Sequence, residues 1–107
     1  MTKQEYLEYN KACQEEIRKM MWDLLQLKGK LPDDPTGRDR SFVASTVTRY
    51  GSDLDYIVRT HASVSFLSEA EYAPYDKKMV GRLQEVMERI HTTHSYTVRR
   101  YAVYMPN

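Results

Sequence analysis

Three stretches of this chain repeat their apolar residues in alternating steps of three and four. The middle seam reads Val43, Val47, Tyr50, Leu54, Ile57, His61, Val64. The first runs Tyr6, Asn10, Cys13, Ile17, Met20, Leu24, Leu27, and the third runs Met79, Leu83, Val86, Ile90, His94, Val98, Tyr101, Met105. Such spacing lines one face of an α-helix and does not fit the two-residue period of a strand. The three stretches take up nearly all of the 107 residues, a length that supports one domain with a single core. The expected fold is all-α, a single-domain antiparallel three-helix bundle of long helices over 1–107, with residues 28–40 as its main loop.

Local signals place the helix ends. Thr2 is an acceptable N-cap, and Glu5 three residues on completes a capping box. The first helix should stop near Lys28, with Gly29 free to take a left-handed conformation after it. The segment LPDDPTGRDR, with two prolines, a glycine and clustered aspartates, reads as a loop. A second helix should open at Thr36 or Ser41 and end before Ser68. The third can start from the Ser68/Glu71 capping-box pattern or from Pro74, which suits a first turn and not an interior.

Two segments compete with this reading. SFVASTVTRYG is rich in Ser, Thr and Val, and Gly51 in mid-helix costs about 1 kcal/mol relative to Ala. SYTVRRYAVYM is aromatic and β-branched, which favours strands. The alternative is therefore an α+β fold in which 42–50 and 95–105 pair as a short two-stranded ribbon.

No apolar run approaches the roughly 18–20 residues of a membrane span, and MTKQEYLEYNK lacks the apolar centre of a secretory signal. No membrane partner and a cytoplasmic setting are expected. The single Cys13 lies on a seam, where a buried, unreactive thiol is the commoner outcome.

Antiparallel pairing yields a contact map in which residue i of the first helix faces about 67 − i, and the second helix faces the third at about 141 − i. On this map His61 falls near Tyr6 and Asn10, as a structural hydrogen-bond node that sets helix register. In ERIHTTH, Glu88 and His91 form one E-x-x-H pair, whereas di-iron bundles need two copies and further glutamates. His61 lies ~20 Å along the bundle from His94 at the helical rise. No metal site, cofactor or catalytic residue is expected, because no metal, nucleotide-loop or nucleophile–base motif is present. An enzyme of unknown class ranks third among the functional readings.

Sixteen Lys and Arg against fifteen Asp and Glu leave a formal charge of +1, so bulk charge names no partner. The distribution is more informative. The map gathers Lys28, Lys30, Arg38, Arg40, Arg99 and Arg100 at one end, with Arg49 and His94 below, and Glu5, Glu8, Glu69, Glu71 and Asp76 at the other. Complementing helix dipoles explains Lys28, Arg99 and Arg100 but not Arg38 and Arg40, which crowd a helix N-terminus that already attracts anions. Tyr96, Tyr101 and Tyr104 bring aromatic faces to that end. Arginine with tyrosine suits a phosphate, a base or an acidic surface. The expected ligand-binding set is Arg38, Arg40, Arg49, Arg99, Arg100, Tyr96, Tyr101 and Tyr104, in a small non-enzymatic protein that binds an anionic ligand, a nucleotide or nucleic-acid phosphate. In particular, Arg40 and Arg99 are expected to converge on one anion.

Nine tyrosines, six methionines and one tryptophan are more than three helices can bury, and Tyr9, Trp22 and Tyr56 fall off the main seams. These residues favour interfaces. They support homo-oligomerisation and a second functional reading, a protein-interaction module acting as inhibitor or adaptor of a larger protein machine.

Overall fold

The structure, a computed structural model, describes residues 1–105. It contains α1 (Lys3–Lys30), α2 (Arg38–Ser65), a one-turn α3 (Glu69–Tyr72) and α4 (Asp76–Arg100). A 3₁₀ turn at Ala73–Tyr75 leads into α4, and another at Ala102–Tyr104 follows it. The three long helices form an antiparallel bundle of 56 × 21 × 17 Å, in which α1 and α2 make the tightest pair. No strand occurs among the described residues, so the ribbon of 42–50 with 95–105 is not supported.

In the hydroxyl-rich middle of α2, which is helical throughout, the side chains turn back on their own helix. Thr46, Thr48, Ser52 and Thr60 each donate to the carbonyl four residues earlier, at 2.9, 3.0, 3.3 and 2.8 Å. A bond of this kind occupies the hydroxyl without breaking the backbone ladder. Thr92 and Thr97 do the same in α4. Gly51 packs over Met21, whose Cε would lie 3.5 Å from an added Cβ, an ordinary contact.

The helix ends differ from expectation in two places. Gly29 remains inside α1, and the helix stops at Leu31, which turns extended (φ −66°, ψ 138°) and is buried. Pro32 explains the stop, since its ring disfavours helical geometry in the preceding residue. The left-handed glycine is Gly37 (φ 63°), directly before α2. Asp34 shapes that turn by accepting from the Thr36 amide at 3.0 Å and the Thr36 hydroxyl at 2.8 Å. The two capping boxes read from the sequence, Thr2/Glu5 and Ser68/Glu71, both form. The second opens the short α3, and α4 itself begins at Asp76.

The core holds Ile17, Leu24, Leu27, Val43, Ile57 and Ile90, all with almost no accessible surface. At their acidic end the helices are tied together by the Lys3 amide donating to Glu69 at 2.8 Å and the Tyr72 hydroxyl donating to Asp76 at 2.7 Å. The polar node on the α1–α2 seam exists without His61. Asn10, fully buried, donates to the Ile57 carbonyl at 3.2 Å and to the Tyr6 hydroxyl at 3.3 Å, and accepts from Gln14 at 2.8 Å. The backbone of α2 therefore supplies the partner across the seam. His61 is half-buried one turn further along and makes no side-chain hydrogen bond among the described residues.

Candidate functional site

The end formed by the C-termini of α1 and α4 and the N-terminus of α2 carries Lys28 and Lys30, Arg99 and Arg100, and Arg38 with Arg40 in the respective terminal turns. Gly37 offers α2 no side-chain cap. The chain's own acids occupy part of this end. Asp39 accepts from the Tyr101 hydroxyl at 2.7 Å and lies 3.5 Å from Arg100. Arg100 stacks its guanidinium over Phe42 at 4.9 Å and over Tyr101 at 5.3 Å. Tyr96 meets the edge of Phe42 at 6.3 Å between centroids. Burial, with the bond to Asp39, pushes the Tyr101 phenol up to about 12.

Arg40 points away from this cluster. Its Nη2 donates to the Leu31 carbonyl at 3.0 Å and pairs with Asp33 at 3.0 Å, so it braces the loop after α1. Arg99 is exposed and makes no ion pair among the described residues. The expected convergence of Arg40 and Arg99 is therefore not formed; the pair that meets is Arg100 and Tyr101, on Asp39. Arg38 and Tyr104 are exposed at the same end. Arg49 lies further down, between α2 and α4.

The histidines separate. His91 contacts Glu16 on α1 at 2.6 Å, whereas His94 meets the Tyr50 hydroxyl on α2 at 3.3 Å. Burial lowers the pKa of His94 and pushes that of Tyr50 up to about 12. No group of three or more His, Cys, Asp or Glu among the described residues could hold a metal ion.

A second basic surface, of which the sequence points only to Arg49, lies along one side of the bundle. Arg49 and Arg59 from α2, with Arg82 and Arg89 from α4, line adjoining open depressions along the α2–α4 seam. Arg89 pairs with Asp53 at 2.9 Å and Arg59 with Asp55 at 3.0 Å. Arg49 and Arg82 have no ion pair among the described residues. Its signal in the sequence was the helical spacing of Arg49, Asp53 and Tyr56 on one strip of α2 and of Arg82, Val86 and Arg89 on one strip of α4. The more enclosed cleft beneath Tyr56 has a volume of only ≈ 10 Å³, room for about one water and far below a small-molecule site.

No known protein family, curated protein or solved structure matches the chain. No helix among the described residues is long and apolar enough to cross a membrane.

Proposed function

We propose that this protein is a small non-enzymatic binding module whose basic end engages an anionic ligand, a nucleotide or a nucleic-acid phosphate. One observation carries the reading. Asp33 and Asp39 are each matched by an internal partner, Arg40 for the first and Arg100 with Tyr101 for the second, and Asp34, whose charge lies near Arg38, is held by Thr36, while Arg38 and Arg99 make no ion pair among the described residues. Helix dipoles account for cations at the C-termini of α1 and α4 but oppose Arg38 at the start of α2. Guanidinium groups bind phosphate oxygens through two parallel hydrogen bonds, which gives direction as well as charge.

The test is thermal stabilisation by nucleoside mono- and triphosphates and by inorganic pyrophosphate, repeated on Arg38→Ala/Arg99→Ala. A saturable rise in melting temperature that this variant loses supports the reading. Absence of any stabilisation in the folded wild type, at low salt, overturns it.

A second reading, a protein-interaction module or self-associating chain, rests on Trp22 and Leu25. They lie one turn apart on the outer face of α1 and are 62% and 49% exposed. Aromatic residues of this kind anchor interfaces. Sedimentation of the wild type and Trp22→Ala over a concentration series tests it. A dimer that this substitution dissolves supports self-association, and a monomer throughout removes it. A cytoplasmic setting accords with a buried, unpaired Cys13.

A further inference from the structure

The seam between α2 and α4 differs from the α1 seams in what it leaves open. Three shallow depressions follow one another along it and share residues. The first is lined by Arg49, Asp53, Arg89 and Thr93, the second by Asp53, Tyr56, Arg82 and Arg89, and the third by Tyr56, Arg59, Ser63 and Arg82. They therefore form one continuous track. Four arginines border it, against Asp53 and Glu85 in its lining and Asp55 paired with Arg59 beside it. Tyr56, 40% exposed, stands midway, and Tyr96, 50% exposed, stands at the end nearest the basic cluster. The Phe42–Tyr96 contact crosses the same seam and leads directly to Arg100.

From this juxtaposition we infer that the α2–α4 track binds the phosphodiester backbone of a single-stranded nucleic acid, continuing outward from the basic end. The inference rests on the anionic-ligand reading and specifies its ligand class. Arginines alternating with exposed tyrosine faces supply what a single strand requires, cations for the phosphates and flat surfaces for bases. On α4 the 18 positions from Arg82 to Arg100 correspond to ~27 Å of helix, a span suited to on the order of four to six extended nucleotides. The ion pairs along the track do not close it. Arg59 and Arg89 are 72% and 62% exposed in theirs, and exposed pairs exchange partners at little cost.

An acidic helix from a protein partner fits less well. A docked helix buries apolar anchors in successive turns, whereas the apolar residues lining the second and third depressions, Val86 and Met79, are already largely covered. Tyr56 is the only large apolar side chain exposed in those two depressions.

The experiment is fluorescence anisotropy with labelled oligo(dT) and oligo(rU) of about two to ten nucleotides, at low and moderate salt. It compares the wild type with a track variant, Arg59→Ala/Arg82→Ala, and an end variant, Arg38→Ala/Arg99→Ala. Both replace exposed side chains, and unchanged circular dichroism confirms that each is folded. Affinity should rise with length and level off near about six nucleotides, with a salt dependence that steepens over the same range. The track variant should lose about tenfold or more on the longer oligonucleotides while retaining the wild type's response to pyrophosphate. Affinity independent of length, or a track variant that binds long oligonucleotides like the wild type, overturns the track and leaves the end reading standing. Poly-glutamate competing as well as oligo(dT) of equal charge assigns the track to acidic protein surfaces and also overturns the inference. Failure of pyrophosphate and of every oligonucleotide to bind the folded wild type removes both readings together.

Discussion

The hydroxyl of Tyr101 donates to Oδ1 of Asp39 at 2.7 Å, joining residues 62 positions apart. This bond fixes the C-terminus of α4 against the first turn of α2, and it holds the negative charge of Asp39 within the basic end. The ring of Tyr101 is buried beside Phe42, with centroids 6.3 Å apart, so the hydroxyl is held in place by packing. If the basic end binds an anion as proposed, stability and binding compete there for the same groups.

Tyr101→Phe isolates the hydrogen bond, because the ring and its packing remain. The expected loss is about 1 kcal/mol in urea unfolding, reduced from the value for a buried charged acceptor because the Asp39 side chain is 40% exposed. Unfolding midpoint and slope identical to wild type would show that the bond does not hold the end closed.

The helical periods were legible because three long seams carried them, and the antiparallel map was accurate to about a turn. It paired Asn10 with residue 57, the contact found, and residue 40 with residue 101, beside the observed Asp39–Tyr101 bond. Side-chain direction was not legible. Arg40 lies at the expected height but turns to the Leu31 carbonyl and Asp33, because the loop bent by Pro32 brings acceptors within its reach. The polar position of His61 on its seam and the antiparallel map point to it as the partner in the node, whereas the Ile57 carbonyl takes that place, and no side-chain pattern encodes that choice. Of the arginines on the α2–α4 track the sequence points to Arg49 but not to Arg59, Arg82 or Arg89, because the apolar seams mark buried positions. A strip of exposed charge has the same period but faces outward.

Asn10→Ala tests the node. It leaves the buried Gln14 amide and Tyr6 hydroxyl without their partner, and unsatisfied buried groups cost about 1–3 kcal/mol. His61→Leu should shift stability less than Asn10→Ala does. A larger loss for His61→Leu in matched urea melts would return the histidine to the centre of the node.

His94 should make stability depend on pH. Burial holds its folded pKa below the ordinary value of about 6.5, so the unfolded chain takes up a proton before the folded one. Stability is then full above the unfolded pKa and declines as pH falls through that value toward the folded one. The Tyr50 hydroxyl, 3.3 Å from Nδ1, can donate only to the neutral ring. Urea melts between about pH 7.5 and 5.5 should show this decline, with a smaller slope in His94→Gln. Equal slopes in the two proteins would assign the dependence to other groups.

Cys13 should be inert while the fold is intact. It is 4% exposed, and burial, reinforced by the nearby charge of Glu16, pushes its thiol up to about 11. The thiolate is the reactive form, so alkylation near pH 8 should run about a hundredfold or more slower than in urea-unfolded chain. Comparable rates in the two states would place the thiol at the surface and contradict the α1 seam.

Asp39→Asn separates stability from binding at the basic end. The amide oxygen still accepts from Tyr101, but the negative charge at the α2 N-terminus is gone, which costs about 0.5–1 kcal/mol of dipole interaction. Arg100 then loses its only ion-pair partner among the described residues and is free to meet a phosphate. Affinity for a single-stranded oligonucleotide should therefore rise about three- to tenfold at low salt, while the melting temperature falls. The salt dependence should also steepen, by about the release of one further counterion. Arg100→Ala should do the reverse, weakening binding. Should Asp39→Asn weaken binding or leave it unchanged while the protein stays folded, Arg100 would be serving the C-terminal dipole of α4 alone, and the ligand would have to be held by Arg38, Arg99 and the α2–α4 track without it.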